Sequence, residues 1–132
     1  ELSGGVVEAA NLGDSGFMLI RGAVGTATAG LQPRHGRPRL EVVVRSAEQQ
    51  HGWNWPYQLM RLPEGLSSVA SVRLRDSAAD CERYQFCVYP GDLLLAYSDG
   101  FSDNLFENEI LQAVQDELAA AAREAQAAPP AS

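Results

Sequence analysis

The hydrophobic period changes once along this chain, and that change limits the folds it can adopt. Up to residue 97 the apolar residues form short alternating or continuous runs, which are typical of strands and are separated by Gly, Pro and Asp. After Asn104 they recur at helical spacing, at Ile110, Val114 and Leu118. Many strands followed by a single helix predict an α+β fold with an antiparallel sheet and exclude a doubly wound parallel one.

Six segments are predicted as strands from their alternating, apolar or β-branched residues: 6–11, 17–21, 41–45, 71–75, 84–88 and 93–97. The first two flank the turn Gly13-Asp14-Ser15-Gly16 and are predicted to form a hairpin. The continuous apolar run over 93–97 predicts a central strand that is buried on both faces. The helix is predicted to continue through an Ala-rich segment and to end before Pro129-Pro130.

Two irregular segments interrupt the strands. Residues 22–40 are predicted to be a flexible surface insertion, because the stretch from Gly22 to Pro38 holds four Gly and two Pro and has no period. The basic residues of this insertion are typical of a solvated loop, and less often of a phosphate-binding patch. Residues 49–59 are aromatic, and Trp53, Trp55 and Tyr57 are predicted to be core side chains in preference to exposed anchors.

The charge balance and the cysteines narrow the classes of partner and location. The chain has 10 Arg, 17 acidic residues and a net charge of −7, which argues against nucleic acid or an anionic membrane as a partner. Its apolar runs are strand-sized and fall far short of a membrane span. Cys81 and Cys87 are too far apart along a strand to form a disulfide, which predicts a reducing, intracellular compartment.

Acidic residues are concentrated in the second half of the chain. Residues 76–132 carry eleven acids and two Arg, a net charge of −9, whereas residues 1–75 have a net charge of +2. Within this half, Asp99 directly follows a predicted strand and Ser98, and Asp103 comes four residues later. Two carboxylates that converge suit a hard cation such as Mg²⁺ or Mn²⁺. The same spacing also fits an acidic cluster that only caps a helix.

The turn Gly13-Asp14-Ser15-Gly16 is similar to the nucleophile turns of some serine hydrolases. Its context argues against that chemistry, because both histidines follow Ser15, in an order that trypsin-like proteases do not have. No histidine lies near the end of the chain, where GDSL-type esterases need one. The favoured interpretation is a tight turn in which Asp14 caps backbone N–H groups.

Three segments in order along the chain resemble the metal-dependent protein serine/threonine phosphatases, the PPM or protein phosphatase 2C family. They are residues 7–17 (VEAANLGDSGF), residues 49–59 (QQHGWNWPYQL) and residues 91–105 (GDLLLAYSDGFSDNL). The middle segment, with His51, resembles the branch that contains the organelle-associated eukaryotic members. Mitochondria and chloroplasts are therefore the locations that the resemblance implies.

The resemblance implies a fold, cofactors and roles for single residues. The fold is a four-layer α-β-β-α sandwich with mainly antiparallel sheets, and two Mg²⁺ or Mn²⁺ ions bridged by water lie between the sheets. Asp99 would be a direct ligand of this centre, and Gly100 would allow the tight turn there. Asp14 and Asp103 match acidic positions implicated in a weaker third metal site. Asn104 would support the turn, and Asp92 would be a turn residue.

Residues 1–128 are predicted to be only part of such a domain, followed by a terminal tail at 129–132. The family's other metal ligands lie before and after the segments present here, and Asp99 alone cannot hold two metal ions. One expected function is hydrolysis of phosphoserine and phosphothreonine in a protein substrate by a metal-activated water. The alternative is a catalytically inactive phosphatase-like subunit or scaffold with protein partners in a larger assembly.

Overall fold

The computed structural model of this protein describes residues 4–22, 39–60 and 76–127. These ranges contain a short 3₁₀ helix at Ala78–Asp80 and nine other elements: β1 (Gly5–Asn11), β2 (Gly16–Gly22), β3 (Leu40–Arg45), β4 (Gln50–Gly52), β5 (Trp55–Pro56), β6 (Glu82–Val88), β7 (Leu93–Tyr97), α1 (Asp99–Ser102) and α2 (Glu107–Ala127). The α+β class is confirmed. Most of the insertion, the strand predicted at 71–75 and the tail at 129–132 lie outside the described residues.

The predicted hairpin of the first two strands is wrong, because β1 and β2 belong to different sheets. β1 pairs antiparallel with β6 in a two-stranded outer sheet. β2 lies between β3 and β7 in a three-stranded central sheet, and both of its pairings are antiparallel. The reason lies in burial, since Phe17–Ile20 is apolar at every position and needs cover on both faces.

β2 is covered by a different layer on each face. On one face Met18 and Ile20 pack against Ile110 of α2, and all three side chains are fully buried. On the other face the ring of Phe17 meets Tyr84 edge-on at 5.1 Å and stacks on Phe86 at 5.8 Å, both in β6. The described residues therefore form three successive layers, which are the outer sheet, the central sheet and α2.

The strand predicted at 93–97 is present as β7, but in the described part of the chain it is neither central nor buried on both faces. Within the described residues β7 pairs only with β2 and lies at the edge of the central sheet. Leu95 and Tyr97 pack towards α2, whereas Leu93 is 39% exposed and Leu94 is 47% exposed. Leu94 pairs with Leu19 and therefore faces the outer sheet. In the described residues that sheet has two strands, β1 and β6, and Leu94 stays 47% exposed beside it.

An ion pair fastens the two sheets together at one end of β2. The Arg21 guanidinium donates to both carboxylate oxygens of Asp92, at 2.8 and 2.7 Å, and to the carbonyl oxygen of Cys87, at 3.2 Å. It also lies over the ring of Tyr89, 4.7 Å from the centroid. Arg21 belongs to the central sheet and Cys87 to the outer one, so Asp92 does more than form the turn that the resemblance implied.

Three further predictions from the sequence are confirmed. Cys81 and Cys87 are both free. The alternation of Tyr84, Phe86 and Val88 corresponds to the half-buried face of β6. The final helix begins at Glu107 and ends at Ala127, ahead of the two prolines.

Ile110→Ala is expected to lower the free energy of unfolding by about 2–4 kcal/mol, because it opens a cavity between α2 and the central sheet. Leu118→Ala, on the same helix but 54% exposed, is the matched control and should change it by less than about 1 kcal/mol. Urea unfolding followed by circular dichroism measures both. Equal effects of the two variants would contradict the packing described here.

Asp92→Asn is expected to lower the free energy of unfolding at neutral pH. The variant should also lose less of that free energy than the unaltered protein when the pH is lowered. The hydrogen bonds from Arg21 lower the pKa of the Asp92 carboxyl in the folded protein, against the opposing effect of burial. Ionised Asp92 therefore stabilises the fold above its unfolded pKa of about 3.9, and this contribution disappears as the pH falls from there through the lower folded value.

The free energy of unfolding is measured with urea at neutral pH and at about pH 3. The difference between the two values should be smaller for the variant than for the unaltered protein. Glu124→Gln changes an exposed carboxylate of α2 and serves as the control. An unchanged difference between the two pH values in Asp92→Asn would refute the role of the ion pair.

Candidate functional site

Three loops meet at the end of the central sheet that lies opposite the Arg21–Asp92 pair. Gly16, where β2 begins, pairs with Tyr97, where β7 ends. Ser46 directly follows β3, and its hydroxyl accepts a hydrogen bond from the Phe17 N–H at 2.9 Å. The loops over residues 12–15, 46–49 and 98–104 are therefore neighbours. Each of them carries at least one carboxylate: Asp14, Glu48, Asp99 and Asp103.

Close packing of the three strand ends leaves no room for a side chain at Gly16. A Cβ atom there would lie 2.7 Å from the Ser46 Oγ and 3.1 Å from the Tyr97 ring. Ser46 is buried and also makes a backbone hydrogen bond to the Phe17 carbonyl at 3.0 Å. The loops can approach this closely because Gly16 has no side chain and Ser46 has a small one.

Asp99 and Asp103 lie at the two ends of the single turn of α1. The Asp103 N–H donates to the Asp99 carbonyl oxygen at 2.8 Å, the hydrogen bond of one α-helical turn. A spacing of four residues on a helix places both on the same side, with Cβ atoms about 5–6 Å apart. Both residues are exposed. The sequence prediction that the two can converge is consistent with this placement.

The turn after β7 is closed by hydrogen bonds within residues 98–104. The Asp99 carboxylate accepts from the Gly100 N–H at 2.7 Å, which fixes one of its oxygens next to the backbone. The Asn104 side chain donates to the Gly100 carbonyl at 2.8 Å, as the resemblance implied. The ring of Phe101 packs on Tyr97, at 5.7 Å between centroids, and so anchors α1 to the end of β7.

The turn between β1 and β2 is held by hydrogen bonds to the loop over residues 46–49. Gly13 has a φ of +101°, and its carbonyl accepts from the Gln49 N–H at 2.9 Å. The Asn11 side chain donates to the Gly13 and Ala47 carbonyls at 3.4 and 3.3 Å. Among the described residues Asp14 makes no capping bond to a backbone N–H, so that expectation is wrong, and the side chain that bonds this turn is Asn11, which donates to carbonyl oxygens.

Within the described residues no histidine bonds to Ser15. Ser15 is exposed, and His51, the one histidine that the structure describes, is bonded to Asp76 at 2.8 Å. His51 also stacks on Tyr57, with ring centroids 4.0 Å apart. The Asp76 carboxylate accepts from the Gln58 N–H at 2.9 Å. Hydrogen bonds from Gln58 and His51 lower the pKa of Asp76.

The prediction that the aromatic segment is part of the core is wrong for its two tryptophans. Trp53 is 96% exposed and Trp55 is 45% exposed. They lie on the β4–β5 hairpin, a short ribbon whose turn contains Asn54 at a φ of +52°. Only Tyr57 is half-buried, in its stack with His51. A ribbon this short has no layer of its own to pack on, so aromatic residues in it stay at the surface.

The donor set at this end of the sheet fits a hard cation in kind, because its side chains are carboxylates. Within the described ranges, however, no three His, Cys, Asp or Glu residues converge closely enough to hold a metal ion. The set Asp14, Asp99, Gly100 and Asp103 thus stays a prediction as a metal site. The sequence analysis does not predict Glu48 as a member of this set. Its position shortly after the β-branched strand β3 resembles that of Asp99 after β7 and could have indicated it.

Gly13→Ala is expected to destabilise the protein more than Gly91→Ala. Both glycines have a positive φ, +101° and +95°, so either alanine carries backbone strain of about 1 kcal/mol or more. A Cβ at Gly13 would also lie 2.8 Å from the Tyr57 carbonyl oxygen, whereas the one at Gly91 would meet nothing within 4 Å. Urea unfolding of the two variants gives the comparison, and equal losses would show that the contact with Tyr57 does not constrain the turn.

Comparison with known proteins agrees with the three motifs. The chain is 39% identical over 103 residues to the human "Protein phosphatase PTC7 homolog" and 40% identical over 104 residues to its zebrafish (Danio rerio) counterpart, each alignment covering 78% of this chain. It is 35% identical over 104 residues, 79% of the chain, to "Probable protein phosphatase 2C 55" of Arabidopsis thaliana. No family model matches the chain, and no solved structure does.

These alignments cover only part of each relative. The chain spans 27–28% of the two PTC7 homologs and 16% of the Arabidopsis protein. More than three quarters of this chain aligns with animal and plant proteins that are named as protein phosphatases. The chain belongs to the PPM, or protein phosphatase 2C, family and represents part of its phosphatase domain.

Proposed function

We propose that the protein containing this chain hydrolyses phosphoserine and phosphothreonine in proteins and depends on Mg²⁺ or Mn²⁺. The observation that carries the proposal is the register of β2 with β7, which pairs Gly16 with Tyr97. This register brings the loop with Asp14 and the turn with Asp99 and Asp103 to one end of the sheet. The names of the relatives, which are those of protein phosphatases, support the reaction class.

Each residue of the site has a distinct role in this proposal. Asp99 would hold a metal ion through its carboxylate, whose orientation the Gly100 N–H fixes. Gly100 and Asn104 keep the turn in the conformation that presents Asp99. Asp103, on the same side of α1, and Asp14, on the adjacent loop, bind a further cation more weakly. The bound ions supply Lewis-acid activation of water and neutralise the charge of the phosphoryl group.

The remaining metal ligands are expected outside these residues, because the chain spans about a quarter of the PTC7 homologs. A mitochondrial or chloroplast location is part of the proposal and follows from the branch that residues 49–59 resemble. No helix in the described ranges is long and apolar enough to cross a membrane. An inactive subunit or scaffold remains the alternative, and it predicts a protein without turnover.

Asp99→Ala, made in the full-length protein with Mn²⁺ present, is expected to reduce kcat/KM for a phosphothreonine peptide by at least about 100-fold. Mutation of a residue that merely orients a metal-binding side chain lowers activity by up to about 100-fold. Removal of the metal-binding side chain itself should lower activity at least as much. Asp103→Ala should instead raise the Mn²⁺ concentration needed for half-maximal activity. Asp116→Ala, at an exposed position of α2, should leave both quantities unchanged.

Phosphate release and calorimetric titration with Mn²⁺ are the two measurements. Full activity and unchanged Mn²⁺ binding in Asp99→Ala would refute the assigned ligand. Absence of both turnover and Mn²⁺ binding in the unaltered full-length protein would favour the inactive alternative.

A further inference from the structure

Ser46 lies where the central sheet ends and the acidic loops begin. Its exposed fraction is 6%, and it is the one buried polar residue in the part of the chain that the structure describes. A Cβ atom at Gly16 would lie 2.7 Å from the Ser46 Oγ and 3.1 Å from the Tyr97 ring, so the hydroxyl faces the point where β2 begins and β7 ends. Burial of a polar group is costly unless hydrogen bonds compensate for the lost water.

The Ser46 hydroxyl takes the place of a backbone carbonyl in the ladder between β2 and β3. In a regular antiparallel ladder, two facing residues exchange two backbone hydrogen bonds. Ser46 and Phe17 make one of these, from the Ser46 N–H to the Phe17 carbonyl at 3.0 Å. The Phe17 N–H donates instead to the Ser46 Oγ, at 2.9 Å. The main chain can therefore leave the sheet at Ser46 without leaving the buried Phe17 N–H unbonded.

Residues 46–49, which we call the clamp loop, run from this point to the turn between β1 and β2. At the far end of the clamp loop, the Gln49 N–H donates to the Gly13 carbonyl at 2.9 Å. The Asn11 side chain donates to the Ala47 and Gly13 carbonyls at 3.3 and 3.4 Å. The clamp loop is thus bonded to β2 at its first residue and to the adjacent turn at its last.

Repulsion between like charges opposes this arrangement of the loops. The three neighbouring loops, over residues 12–15, 46–49 and 98–104, contain four carboxylates and no Arg or Lys. Carboxylates on adjacent loops repel one another, and this repulsion pushes the loops apart. Hydrogen bonds to buried atoms at the base of the clamp loop resist that push. A site whose side chains are held in place before a ligand binds loses less affinity to reorganisation.

We infer that Ser46 is a positioning residue, which through the clamp loop sets the place of Asp14 relative to the turn that carries Asp99. This inference rests on the proposed function, in which Asp14 and Asp103 bind the weaker cation. Ser46 acts on Asp14 through the main chain of Gly13 and takes no part in the hydrolysis.

The test compares Mn²⁺ binding by variants of the full-length protein in calorimetric titrations. Ser46→Ala removes the acceptor of the Phe17 N–H. It should lower the affinity of the weaker class of Mn²⁺ sites about tenfold, the lower end of the range for residues that orient a metal-binding side chain. The affinity of the tighter class, to which Asp99 belongs in the proposed function, should change far less.

Asp92→Asn is the matched control, because it weakens the fold at the opposite end of β2. It should leave both classes unchanged when the titration is made below the unfolding temperature of every variant. Asn11→Ala removes the side-chain bonds between the clamp loop and the turn, and it should act in the same direction as Ser46→Ala. This second variant decides the test if Ser46→Ala does not fold. Unchanged affinity of the weaker class in the folded variants, or an equal loss in Asp92→Asn, would overturn the inference.

Hydrogen exchange without Mn²⁺ measures the positioning directly. In Ser46→Ala the amides of residues 12–15 and 46–49 should exchange faster than in the unaltered protein, because the bond from Gln49 to Gly13 opens more often. The amides of α2 should keep their rates. Faster exchange along the whole described chain would show a general loss of stability and would contradict the inference.

Turnover of a phosphothreonine peptide separates this inference from the proposed function. Weaker Mn²⁺ binding in Ser46→Ala, by a protein that has no turnover even when unaltered, would support the positioning role and refute the phosphatase assignment. Turnover by the unaltered protein, with the same Mn²⁺ affinities in Ser46→Ala, would keep the phosphatase assignment and refute the role of Ser46.

Discussion

The described part of the molecule is organised around the burial of four consecutive apolar residues, Phe17–Ile20. Such a strand gains its full hydrophobic stabilisation only when both faces and both edges are covered. β6 covers one face through Tyr84 and Phe86, α2 covers the other through Ile110, and β3 and β7 occupy the edges. The order of layers and the central position of β2 both follow from this one requirement.

The ion pair that joins the two sheets and the loops that carry the acidic residues lie at opposite ends of β2. Arg21, near the end of β2, binds Asp92 and the backbone of β6, and thus fixes the two sheets relative to each other. Gly16, at the start of β2, lies among the loops that carry the acidic side chains. The rigid support ends where the loops begin, so Glu48, Asp99 and Asp103 stay exposed and Asp14 half-buried while the strands behind them are tightly packed. Such an arrangement keeps charged groups available to a ligand without the cost of burying them.

Local patterns in the sequence predicted local structure well. Of the six segments predicted as strands, the five within the described residues are strands, and the final helix completes the α+β class; Asp99 and Asp103, four residues apart, lie on one helical turn. The choice of pairing partners was not local. β1 pairs with β6 and not with its sequence neighbour β2, because the faces of β2 must be covered by residues more than sixty positions away.

The errors at single residues have the same origin. The apolar run of β7 reports which side chains are present, but not that β2 is its one pairing partner in the described ranges. The aromatic character of Trp53 does not reveal that its ribbon is too short to be covered. The Arg21–Asp92 pair joins residues 71 positions apart, and no pattern in the sequence connects them. By contrast Asn104, whose side chain bonds to the carbonyl four residues earlier, supports the turn as the resemblance implied.

The central position of β2 has a consequence for the order of events during synthesis. Residues 16–20 pair with residues of β7 that are 73 to 81 positions further along the chain. At about 5–20 residues per second, the ribosome exposes this apolar strand for roughly 4–16 seconds before β7 emerges. β3 can protect one edge in the meantime, but the faces and the other edge stay uncovered. An uncovered strand of this composition can pair with other chains, so the risk of aggregation is highest in the interval before β7 emerges.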